Sequence, residues 1–276
     1  PVFLVAKISG PKRFGELSAV TQAVQQDPNV AAIKSALTKR MLNLLERLVK
    51  DDVEKYREFW TAFGAVLKEG IVEDPGNREK IAALLRFNST LVESQAPDRS
   101  LEDYLGAAAD DQDSIYYLTA ESATAARSSP HLEGLREKGI EVLLLSERID
   151  EWVMQHLTEY GGKSFRDVSR GELDFASSGE EKIVEPKLTK DQQHFLKRVK
   201  RALREQVNEV RLSGRLRESS ACLVFGEHEL GFQMRELLKT AGQEAPEDVP
   251  SLELNSKHPL IQRLEQESDE ETFESL

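Results

Sequence analysis

The sequence predicts a mixed α+β or α/β chain: a helical layer, a small αβα sandwich, and a second mixed α+β domain. Three observations predict it. Leu37, Met41, Leu44, Leu45 and Leu48 recur every three or four residues, the spacing of one helical stripe. Ile115–Leu118 and Ile140–Leu145 are short continuous apolar runs rich in strand formers, as buried parallel strands are. Alternating apolar residues at Ala221, Leu223 and Phe225, after Val210 and Leu212, mark a second strand region.

In chain order, a second helical stripe follows the first in Tyr56, Phe59, Trp60, Phe63, Val66 and Leu67. Gly70 and the Asp74-Pro75-Gly76 stretch end it. A shorter helix carries Ile81, Leu84 and Leu85, and three helices with short connections make a helical layer. Between the two apolar runs, Ser122–Lys138 has helical composition, which reads as a βαβ unit. A helix N-capped by Ser146 follows, turning Ile149, Trp152, Val153, Leu157 and Tyr160 inward until Gly161-Gly162 ends it. Ser177-Ser178-Gly179, mixed charges and Pro186 mark a linker at 176–189. Beyond it come a basic amphipathic helix from Lys190 to Gln206, an antiparallel strand pair, a helix over Glu229–Thr240 and a strand at Leu252–Leu254.

The 276 residues are 39% apolar and 31% charged, so the chain buries a core and keeps a very polar surface. No apolar run approaches the roughly 18 residues of a membrane span, and the first residues lack the pattern of a secretory signal. A lone cysteine, Cys222, excludes an internal disulfide and a cysteine zinc site. A cytoplasmic setting and no membrane partner are expected. The net charge of −12 argues against a general nucleic-acid binder, yet charge is uneven. Residues 187–217 carry ten Lys/Arg against three Asp/Glu, whereas Leu264–Leu276 holds six acids and no base.

Catalytic signatures are dismissed one by one. Gly162-Lys163-Ser164 ends like a phosphate loop, but Leu157 stands where that loop needs glycine. Histidines 131, 156, 194, 228 and 258 lack metal spacing, so no metal site is expected. The basic face of Lys197, Arg198, Lys200, Arg201 and Arg204 has only Phe195 as a stacking aromatic. A solvated face, or one that meets acidic partners or the acidic tail, fits it better than nucleic acid. Two apolar features remain. Trp152 follows Asp150-Glu151 near a helix start, and Leu230, Met234 and Leu237 share a face while Phe232 points elsewhere. Core packing explains either by periodicity, and a promiscuous binding surface explains either by its Met and its charged rim.

The stretches SALTKRML (35–42), EKYREFWTAFGAVLKEGIVED (54–74), NREKIAALLRFNST (77–90), SLEDYL (100–105), IYYLTAES (115–122) and SPHLEGLREKGIEVLLLSERIDEW (129–152) resemble the middle domain of the heat-shock protein 90 family. VNEVRLSGRL (207–216) and LELNSKHPLI (252–261) resemble its C-terminal domain, with wording similar to the bacterial HtpG type. The resemblance runs over residues 24–271. It implies residues 1–23 as an unmatched segment and 24–175 as part of a middle domain, with helices over 24–95 and the sandwich over 100–175. The linker follows at 176–189, and 190–276 is a truncated C-terminal domain.

The family is an ATP-driven homodimeric chaperone, so the resemblance implies a segment that binds non-native client proteins. In the full-length parent this is coupled to ATP and magnesium, and co-chaperones are possible partners there. This chain lacks the family's ATPase domain, and at its catalytic loop only Gln25 matches, Thr21 standing in place of the arginine. No catalytic residue and no cofactor are expected in the chain itself. The dimerisation helices would follow Leu276, so a monomer is expected. By resemblance Glu151 and Trp152 line a client surface, and Leu230, Met234 and Leu237 a second. The alternative is a nucleic-acid-associated module using residues 187–217.

Overall fold

The computed structural model describes residues 28–92, 96–171, 188–226 and 249–275. The fold is mixed α+β, with helices and two small mixed sheets, and divides into two compact units at Arg86/Phe87. Among the described residues, no helix is long and apolar enough to cross a membrane.

The first unit is helical. Helix α1 spans Pro28–Asp51 and α2 spans Val53–Glu73, parted by Asp52, whose carboxylate caps α2 by accepting from the Lys55 amide at 3.2 Å. After a 3-10 turn at Pro75–Asn77 comes α3, Arg78–Leu84. The core joins Leu42 and Leu45 of α1 with Tyr56, Trp60 and Ile71 of α2 and Ile81 and Leu84 of α3. Tyr56 donates its hydroxyl to the Leu84 carbonyl, satisfying a C-terminal group of α3.

The first predicted stripe holds only in part: Leu45 is buried and Leu48 half-buried, but Leu37, Met41 and Leu44 are 58%, 41% and 50% exposed, and Thr38 and Leu42 are buried with Leu45. Apolar residues surround much of α1, so periodicity offered neighbouring faces and packing turned the helix toward Leu42. Val30 and Ile33 extend the exposed stripe. Beside it, between α1 and α2, lies a cleft of about 360 Å³ walled by Met41, Leu42, Phe59, Phe63 and Val66.

The second unit opens with a five-stranded sheet of order β1-β3-β2-β5-β4: β1 Asn88–Ser89, β2 Ser114–Thr119, β3 Leu143–Leu145, β4 Glu159–Tyr160 and β5 Lys163–Asp167. The two apolar runs do form a parallel pair, with Leu118 opposite Leu144. Their crossover carries α5 (Ala123–Arg127) and α6 (Glu133–Glu137), α5 being capped by the Ser122 hydroxyl. Tyr116, Leu118, Ala126, Leu132, Leu135, Val142, Leu144 and Val168 form one core. Helix α4 (Leu101–Ala107) has a Ser100/Asp103 capping box, and its Tyr104 hydroxyl donates to the Glu141 carbonyl while accepting from the Tyr116 amide.

Strand β3 is shorter than the predicted 140–145 run. The Ile140 amide closes the end of α6 on Leu135, and Arg99 takes the Glu141 carboxylate in a bidentate pair at 2.8 Å. The following helix, α7, covers only Asp150–His156. Ser146 does not cap its start: Ile149 stands at the cap with no side-chain bond, and Asp150 accepts from the Glu147 amide ahead of the helix at 2.9 Å. Gly161-Gly162 does not end this helix. It turns the β4–β5 hairpin with φ of +58° and +78°, and a Cβ at Gly161 would stand 2.5 Å from Leu105.

The rest of the unit holds α8 (Lys190–Leu203), β6 (Val210–Leu212), β7 (Ala221–Val224), β8 (Ser251–Leu254), α9 (Pro259–Gln266) and α10 (Glu270–Ser275). Thr189, at the end of the predicted linker, caps α8 in a box with Gln192. The expected direct pairing of β6 with β7 is wrong: β8 lies between them, parallel to β6 and antiparallel to β7. The register also differs, since Cys222 and Val224 are buried while Leu223 is 46% exposed. A one-residue offset exchanges the two faces of a strand. This region has its own core, of Phe195, Leu196, Val199, Val207, Val210, Leu254, Ile261 and Phe273.

Candidate functional site

Helix α7 is a short helix of about two turns anchored by Val153, Met154 and the buried Leu157 beyond its end. Anchoring through those residues leaves Trp152 outward, 48% exposed. Its indole meets His156 edge-on at 6.4 Å, and the His156 Nδ1 lies 3.0 Å from the Trp152 carbonyl. The ring is thereby steadied from one side and open on the other. Asp150 is buried where it holds the Glu147 amide, and Glu151 is half-buried on the first turn. The Tyr117 hydroxyl is pushed above the ordinary tyrosine range, chiefly by burial, with the charges of Asp167 and Glu151 adding to it and Arg170 opposing. An aromatic face with acids at one rim results.

Leu230, Met234 and Leu237 lie outside the described residues, as do Gln25, the helix expected over Glu229–Thr240 and most of the 176–189 linker.

The basic helix α8 is partly engaged within the fold. Arg198 Nε donates to Glu270 at 2.8 Å, and its guanidinium stacks 3.7 Å over the Phe273 ring. Lys200 donates to the Arg204 and Val207 carbonyls. Arg198 thus meets the acidic tail, one of the two roles foreseen for that face. Lys163, of the dismissed phosphate loop, donates to the Gln112 carbonyl. Among the described residues no three His, Cys, Asp or Glu side chains cluster as metal ligands. His131 is pushed down to about 4, first by burial and then by the Arg215 charge. Burial pushes the Cys222 thiol up to about 12, which makes it inert as a nucleophile.

Sequence reasoning missed a polar seam. Arg215, 2% exposed, donates to the Glu253 carboxylate at 3.0 Å and to the Val168 and Gly171 carbonyls, both at 2.6 Å. Glu253 is also held by Arg211 at 2.9 Å and by the Ser213 hydroxyl at 2.7 Å. The Glu133 carboxylate, on α6, accepts from the amides of Arg217, Glu218 (2.8 Å) and Ser219 (3.1 Å), and from the Ser219 hydroxyl. The one sequence signal was an acid, Glu253, inside the apolar run Leu252–Leu254.

A family model described as Hsp90 protein matches residues 19–275, starting five residues ahead of the resemblance read at 24. Chaperone protein HtpG of Shewanella pealeana is 49% identical over 257 residues, which are 92% of this chain and 40% of that protein. The chain therefore spans about two fifths of the length of this curated relative.

Proposed function

The chain belongs to the heat-shock protein 90 family, and on that premise we propose that it binds non-native proteins, with Glu151 and Trp152 on one contact surface. The observation that carries this reading is the half-exposed Trp152, on a helix whose next two side chains are buried. A large rigid ring held in place offers contact area at little cost in lost freedom. The acids beside it keep the patch soluble and favour client segments that mix apolar and basic residues. Such a surface holds many sequences weakly rather than one tightly.

Leu230, Met234 and Leu237 belong to the same proposal as a second patch, on the strength of the resemblance. ATP, magnesium, co-chaperones, dimerisation and a cytoplasmic setting are proposed for the longer protein. No catalytic role is proposed for any residue here.

The test is binding of a reduced, carboxymethylated globular protein that stays partly folded, followed by fluorescence anisotropy. Trp152→Ala is expected to weaken binding about three- to tenfold, or up to ~1.4 kcal/mol. Raising salt should change affinity little, unlike phosphate binding, which collapses. Equal affinity of variant and parent would remove Trp152 from the surface. A steep salt dependence with retained nucleic-acid binding would favour the basic helix instead.

A further inference from the structure

We infer that Glu133 and the loop Arg217–Ser219 form a latch, whose release lets the β1–β5 part and the β6–β8 part of the second unit separate as folded bodies. The latch has three ingredients. Each part has a core of its own: one around Leu118, Leu132 and Leu144, the other around Phe195, Val210 and Leu254. Between the parts, β7 meets Pro130–Leu132 and carries Cys222 and Val224 of a small buried apolar cluster that Leu216 completes, and around it runs a larger set of polar contacts. Glu133 accepts from three successive amides and a hydroxyl across the seam, and Arg217 pairs with Glu137. Arg215 reaches the Val168 and Gly171 carbonyls, and main-chain bonds join Gly171 to Phe225 at 3.0 Å and Phe225 to Ser169 at 3.3 Å.

The third ingredient is how the receiving loop is built. Successive amides turned inward make a concave anion seat. Asn255, at the end of β8, holds that seat open by donating its side-chain amide to the Arg217 and Ser219 carbonyls at 3.1 and 3.0 Å. The seat thus belongs to the β6–β8 part whether or not Glu133 occupies it. Arg215 likewise keeps its Glu253 partner when it leaves the two carbonyls. Opening therefore strands no buried charge, and every freed donor and acceptor meets water. The apolar cluster beside these bonds is three side chains, small next to either core, so opening exposes less apolar area than unfolding does. Burial works to raise the Glu133 carboxyl, yet the bonds from Ser219, Arg217 and Glu218 hold it below the ordinary glutamate value, in keeping with an ionised tongue in its seat.

Amide hydrogen exchange on the whole chain tests this. In Glu133→Gln the amides of Arg217, Glu218 and Ser219 should exchange about tenfold faster or more, together with those of Gly171 and Phe225, which Glu133 does not touch. The core amides of Ala120 and Ser213, bonded to Leu145 and Leu254, should be unchanged. In the parent chain under graded denaturant, the cross-seam amides should open with one shared dependence, below that of both cores. Acceleration confined to 217–219 would reduce Glu133 to a local cap and overturn the latch. Acceleration of all amides alike, in the variant or in the parent's titration, would make the unit a single cooperative body and overturn it equally.

Discussion

The chain's two tryptophans sit on helices, each after a short charged or aromatic approach, and each has a telling neighbour four residues on. Trp60, on α2, is 5% exposed, with Gly64 at that position. Trp152, on α7, is 48% exposed, with His156 there. The missing side chain at Gly64 lets the Trp60 indole lie against its own helix, where a Cβ would stand 2.9 Å from two ring carbons. The aliphatic stem and ammonium of the buried Lys68 complete the enclosure, 5.8 Å from the ring. His156 instead braces one edge of Trp152 and leaves the rest uncovered. These two tryptophans are thus covered or left at the surface according to what the helix offers one turn later.

The largest expected effect breaks the Trp60 side of the comparison. Trp60→Ala should cost about 3–5 kcal/mol of the helical unit's stability, read as a shift in denaturant midpoint at constant slope. A loss comparable to that of Trp152→Ala would erase the distinction. Gly64→Ala should cost about 1–3 kcal/mol, because the added methyl forces the ring off its seat. A neutral result there would mean that the glycine does not shape the pocket. The smallest effect sharpens the other side: Trp152→Ala should cost about 1 kcal/mol, the central value for single substitutions, because about half of the residue already lies in water. A midpoint shift as large as that of Trp60→Ala would return Trp152 to the core and leave the proposed contact surface without its main feature.

Much of the fold was legible because it rests on local pattern. Ile115–Leu118 and the end of 140–145 showed as parallel strands because both are buried runs, and α2 and α3 showed through Tyr56, Trp60, Ile81 and Leu84. Legibility failed where two local answers were equally good. On α1 either of two neighbouring faces could turn inward, and only the placement of α2 and α3 chose Thr38 and Leu42, with the expected Leu45, over Leu37 and Leu44. For β6 and β7 the alternation was visible but not the insertion of β8 between them, which joins residues some forty positions apart. The seam was invisible for the same reason. Glu133 meets Ser219 86 residues further along, and neither residue advertises the other. The exposure of Trp152 could be suspected from Asp150-Glu151, but only by setting periodicity aside.

That separation of 86 residues also orders events during synthesis. At roughly 5–20 residues per second, Ser219 leaves the translating machinery about 4–17 seconds after Glu133. The β1–β5 part is complete in sequence at Val168, 51 residues before Ser219, so about 3–10 seconds of that interval remain for it to fold before the seat emerges. Among what it presents in the meantime at the seam are the hydrated Glu133 carboxylate and the Val168 and Gly171 carbonyls. A nascent chain that waits with a polar edge gives its neighbours on crowded polysomes little to stick to.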